Sequence, residues 1–119
     1  MDKYYCHVDI DDLPMMTNKS RRCHWAVQNK EAKKWKRLVL FNVSRPDEPL
    51  KKASIKFTRH SSQEPDFDGL VSGFKHVLDG LKHAGVIIDD KPSIIGHPSY
   101  EWLKSPGKKG FITIKVTEL

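Results

Sequence analysis

The chain has 119 residues, with 21 Lys or Arg against 15 Asp or Glu and a formal net charge of +6 at pH 7. At 38% apolar and 30% charged residues, it suits one domain with one core. No apolar run approaches the roughly 20 residues of a membrane-spanning helix, and the start, "MDKYYCHVDI", lacks the apolar stretch of a secretory signal.

In chain order, "KYYCHVDI" alternates as a strand does, and "DDLPMMTNKSRRC" is a loop marked by Pro14 and Asn18. "HWAVQNKEAKKWKRLVLF" has the spacing of a helix: Trp25, Ala32, Trp35, Leu38 and Val39 recur along one side. That side is expected in the core. Lys30, Lys33, Lys34 and Arg37 fall on the remaining surface. "VSRPDEPLK" is a turn and "ASIKFTR" an alternating strand. "HSSQEPD" is a loop leading into "DFDGLVSGFKHVLDGLKHAG", whose Leu70, Phe74, Val77, Leu78 and Leu81 make one apolar stripe. Asp68 is the expected N-cap of that helix and Gly85 its C′ residue. "VIID" is expected as a short strand, "SIIGHPSYEWL" as another, "KSPGKKG" as a hairpin loop and "FITIKVTEL" as the closing strand. The expected order is β-α-β-α-β-β, an α+β fold. A single mixed β-sheet carries two main helices, within one domain spanning residues 1–119.

The charge is uneven along the chain. Lys and Arg outnumber Asp and Glu by 14 to 7 in residues 1–60, against 7 to 8 in residues 61–119. From Lys19 to Arg37 there are eight basic residues and one acid, Glu31. Such a surface attracts polyanions, nucleic acid above all, although a solvated helix face has the same composition. Cys6 and Cys23 form no CxxC pair and cannot make a zinc site alone, so a reduced, cytoplasmic protein is expected. The six histidines show no HxxxH or HExxH spacing and are assigned to surface and packing. Tyr100 and Trp102 are assigned to the sheet.

Against this basic background the acids are clustered: Asp66 and Asp68 in "PDFDGL", then Asp89 and Asp90 in "IDD". Like charges brought together repel unless a cation intervenes. At 100° per residue, Asp68, Ser72, Lys75 and Asp79 fall within about 60° of one another on a continuous helix. An extended "PDFD" points Asp66 and Asp68 to the same side. Helix, approach strand and "IDD" then converge. Three carboxylates beside an ammonium suit Mg²⁺, or Mn²⁺, with a charge-stabilising lysine. A solvated acidic loop before an ordinary surface helix is the competing explanation.

"DFDGLVSGFKHVLDGLKHAGVIIDD" resembles the signature of the RusA family of Holliday junction resolvases, small metal-dependent endonucleases found largely in phages and prophages. In that pattern a DxDN is followed by a leucine, a lysine with an aspartate four residues later, an "AG" turn and a "DD". The matching positions are Asp66 and Asp68, Lys75, Asp79, Ala84-Gly85 and Asp89-Asp90. The resemblance covers most of the chain, strongly over 66–90 and weakly before residue 50. It implies that Asp66, Asp68 and Asp90 bind Mg²⁺ or Mn²⁺, that Lys75 assists at the phosphate, and that these four carry catalysis. Asp89 and Asp90 face opposite ways if the chain is extended, so only one of the pair is expected to be a full ligand.

Two positions depart from the family pattern. Gly69 stands where the family has asparagine, and "SSQEP" stands where many relatives have basic residues. The resemblance further implies a phage- or prophage-encoded protein working in a bacterial cytoplasm in DNA recombination and repair. A homodimer would place two cuts on a four-way junction, which is recognised by shape through phosphates contacted by Lys30, Lys33, Lys34 and Arg37. Three functions stay open: a junction-cutting endonuclease, a weak or inactive RusA-like DNA-binding protein, and a globular protein whose acids are structural.

Overall fold

A computed structural model describes residues 3–15, 25–107 and 109–119; the Trp25 side chain, Lys19 and the Arg21-Arg22 pair lie outside that description. The elements are β1 (Tyr5–Ile10), α1 (Trp25–Asn42), β2 (Ala53–Ser61), α2 (Phe67–Gly73), α3 (Lys75–His83), α4 (Pro92–Ile95), β3 (Ser99–Lys104) and β4 (Phe111–Glu118). They form an α+β fold with one mixed four-stranded sheet in the order β1-β4-β2-β3. β4 runs antiparallel to β1 and β2, while β2 and β3 are parallel. Parallel neighbours need a crossover connection, and α2, α3 and α4 supply it. Among the described residues no helix is long and apolar enough to cross a membrane.

The sheet register explains the core. Val8, Ile114, Phe57 and Tyr100 lie side by side across the four strands. With Ile55, Ile112 and Val116 they form one apolar face beneath the helices. The period-2 alternation of "ASIKFTR" and "FITIKVTEL" puts these residues on that face. On α1, Trp35 and Val39 are fully buried, while Ala32 and Leu38 are half-buried.

Four expected local features differ. The long helix of 66–85 is two helices, interrupted at Phe74 (φ −91°, ψ 2°). The Phe74 N–H reaches Val71 O at 3.2 Å, and its ring stacks on Phe57 at 4.7 Å. Packing onto the sheet thus overrides the helical run where Gly73 offers little resistance. "VIID" is not a strand; a single parallel bridge joins Ile87 to Leu50. In "SIIGHPSYEWL" the first residues form the α4 turn, because Pro92 at its start favours helical φ, and only Ser99–Lys104 is strand. "KSPGKKG" is not a hairpin loop, since β2 lies between β3 and β4.

The end of α3 agrees with expectation. Val86 N–H bonds Leu81 O at 3.0 Å and Gly85 N–H bonds Lys82 O at 3.1 Å. Those two bonds are a Schellman motif around Gly85, whose φ of +80° favours glycine. Close packing depends on a second glycine. A Cβ at Gly80 would lie 3.0 Å from Val39 Cγ2 and 3.1 Å from Trp35 O. Gly80→Leu is therefore expected to lower stability by about 1–3 kcal/mol through overpacking, read by chemical denaturation. An unchanged midpoint would show that the α1–α3 contact yields freely.

Candidate functional site

The motif residues sit on one continuous stretch of chain but in three local settings. Asp66, not Asp68, caps α2. Its backbone is extended (φ −69°, ψ 164°) and its carboxylate accepts the Gly69 N–H at 2.8 Å. This is the ordinary N-cap bond to the third helical residue. Asp68 is exposed in the first turn of α2, where the helix dipole favours a negative charge. Lys75 is exposed at the first position of α3. The interruption at Phe74 therefore splits the expected stripe of Asp68, Ser72, Lys75 and Asp79 between two helices.

Asp89 and Asp90 follow the Schellman turn, half-buried. Asp89 Oδ1 accepts the Asp90 N–H at 2.8 Å and lies 3.1 Å from Lys82 Nζ, while Oδ2 lies 3.7 Å from Lys91 Nζ. The Asp90 amide and then the Lys82 ammonium pull the Asp89 carboxyl down to about 2. Lys82 is raised in turn, chiefly by Asp89. Asp89 is thus occupied by its own neighbours, which leaves Asp90 as the better candidate ligand of the pair. Lys82 was not evident from sequence. It sits seven residues before Asp89, and only the chain reversal at Gly85 brings the two together.

These carboxylates do not make a divalent-ion site as they stand. Among the described residues no three His, Cys, Asp or Glu side chains are grouped closely enough to hold a metal ion. The expected convergence of Asp66, Asp68 and Asp90 is absent from this arrangement. Hard oxygen donors are present in suitable number, but among the described residues they are not gathered.

α1 carries the basic surface. Lys30, Lys33 and Arg37 are exposed. Lys34 is engaged, at 3.1 Å from Asp12 and 3.4 Å from Glu31. Burial opposes its charge, yet those carboxylates outweigh burial and raise its pKa. The opposite side of α1 meets α3: Gln28 Oε1 lies 3.2 Å from His76 Nε2, and Trp35 and Val39 flank Gly80. The exposed cations therefore point away from α3.

Other polar contacts position the loop before α2. Trp102 Nε1 donates to Ser61 Oγ at 2.9 Å, and Ser61 Oγ donates to Gln63 O at 2.9 Å. These bonds tie the end of β2 to β3 just before Asp66, giving Trp102 a positioning role beyond sheet packing. Arg59 is buried on the same strand, where it donates to Pro14 O at 3.0 Å. On the uncovered sheet face, Thr113 Oγ1 donates to Asp9 at 2.7 Å and so accepts from His60 Nε2 at 2.9 Å.

Fold and site together define a small α+β protein with a basic helix beside an acid-and-lysine motif. No family model matches the chain, and no curated protein matches it significantly.

The Asp89 contacts predict a pH effect. A carboxyl whose folded pKa is depressed contributes stability above its ordinary value of 3.8, and loses it as pH falls toward about 2. In EDTA, Asp89→Asn is expected to be less stable than wild type at roughly pH 5, with the gap closing by roughly pH 2. A gap independent of pH in denaturant titrations would show that the carboxylate charge is not what holds this turn.

Proposed function

We propose that this chain acts on branched DNA as a RusA-like endonuclease, cutting phosphodiester bonds at four-way junctions. The supporting observation is the surface placement of the motif. Asp66, Asp68 and Lys75 are exposed and Asp90 is half-buried, so none of the four is consumed by the core. Acids of structural purpose alone would not require an exposed lysine at the start of the next helix. The exposed cations of α1 supply sequence-independent attraction for phosphates.

The chemistry is limited to what the chain's own groups offer. Lys75 presents an ammonium at the head of α3, able to stabilise charge on a phosphate oxygen. The Asp66 cap bond holds the start of α2 in place. As they stand, the described carboxylates do not form a site for Mg²⁺ or Mn²⁺. The ion requirement is an outcome of the assay.

A second reading has its own observation. The same ungrouped carboxylates favour a RusA-like protein that binds junctions and does not cut them. A homodimer, which paired cuts require, belongs to the first reading.

Two measurements separate these. Wild type is incubated with a four-way junction and, separately, linear duplex, with Mg²⁺, Mn²⁺ or EDTA. The nuclease reading expects paired nicks in the junction with a divalent ion. It expects cutting to be abolished or crippled in Asp66→Asn, Asp68→Asn and Asp90→Asn, with junction binding retained, and to be impaired in Lys75→Ala. Binding without cutting under every ion supports the second reading, and unimpaired cutting by the Asn variants contradicts the assigned roles. The second measurement follows affinity against salt. Changing Lys30, Lys33 and Arg37 to Ala is expected to flatten the log–log slope by about 0.9 for each phosphate no longer neutralised; an unchanged slope would assign binding to another surface.

A further inference from the structure

At its far end the basic stripe of α1 changes character. Phe41 is 82% exposed and Leu40 is 55% exposed. Phe41 is the most exposed of the large apolar side chains among the described residues. At 100° per residue, Lys30, Lys33, Arg37, Leu40 and Phe41 lie within an arc of about 100°. They form one surface, turned away from α3, and no acid falls on it. Lys30 and Phe41 are eleven residues apart, about 16 Å along the helix axis.

Three cations in line with a bare aromatic ring suit a partner that is anionic along its length and offers π faces. Single-stranded nucleic acid has both properties, and its bases stack on aromatic side chains whatever their sequence. A second copy of this chain, docked on the same face about a two-fold axis, would bring like charges toward each other. Paired duplex offers phosphates, but its bases already stack on one another. A branch point or single strand leaves base faces free.

We propose that Phe41, with Leu40 beside it, is a stacking residue that takes an unpaired base of DNA held by Lys30, Lys33 and Arg37. The assignment rests on the nucleic-acid reading above and adds to it a preference for branched or single strands over duplex. Phosphate contacts alone do not supply that preference, because every DNA form presents phosphates.

The test uses the full chain as wild type, Phe41→Ala and Phe41→Trp. Each is titrated at one salt concentration into a single strand, a four-way junction and a paired duplex, all labelled with 2-aminopurine. Because Phe41 is exposed, the fold should survive both changes, and circular dichroism verifies this. Phe41→Ala is expected to bind single strand and junction about fivefold or more weakly, with duplex affinity changed less than about twofold. The 2-aminopurine fluorescence change should be present with wild type and Phe41→Trp and abolished with Phe41→Ala. Equal weakening on all three DNAs, or no weakening on any, would overturn the assignment. So would a sedimentation shift showing that Phe41→Ala disrupts a dimer. If wild type binds no DNA, the nucleic-acid reading fails and the stacking role with it. If wild type binds DNA and Phe41→Ala behaves identically, the stacking role alone fails.

Discussion

The contact between α1 and α3 at Gly80 governs how this molecule presents its surfaces. Trp35 O and Val39 stand where a side chain at residue 80 would begin, so the two helix backbones approach closely. That approach buries Trp35 and Val39 among Val77 and Leu81. It also fixes the side of α1 that faces water. The lysines and arginine on that side owe their exposure to the packing of the other, as an amphipathic helix requires. Through His76 and Gln28, the same contact sets the level of α1 against Lys75. The basic stripe and α3 thereby lie on opposite sides of α1.

The acids show how a basic chain meets clustered negative charge locally. Asp66 is taken up by the amide of Gly69, Asp68 stands in the first turn of a helix, and Asp89 is held by Lys82 and Lys91. Each charge is met by a local dipole or ammonium, and each partner is within the reach of ordinary side-chain geometry. Asp66 caps α2 through Oδ1, and because a carboxylate has two acceptor oxygens, capping α2 and coordinating an ion are compatible.

Much of the architecture was legible in sequence because alternation and helical spacing are local signals. "ASIKFTR" and "FITIKVTEL" lie in the strands they imply, and the apolar stripe from Leu70 to Leu81 is helical, though split between two helices. What was not legible depended on distant partners. Phe74 interrupts its helix because of Phe57 on another strand, and β3 pairs with β2 rather than β4 because the crossover delivers it there. The cap shifted from Asp68 to Asp66 because the chain is already helical from Phe67. At the site, sequence supplied the residue types but not their distances. Lys82 became visible only once Gly85 had turned the chain back.

On the proposed function, one bound junction is met by both the α1 stripe and the motif. Chemical-shift mapping of the ¹⁵N-labelled protein, titrated with an immobile four-way junction in EDTA so that the junction stays uncut, reports on both surfaces at once. Amides of residues 30–41 and of residues 66–75 and 89–90 are expected to shift together, saturating at one stoichiometry. Shifts confined to α1, with Asp66, Asp68, Lys75 and Asp90 unmoved at saturation, would contradict it.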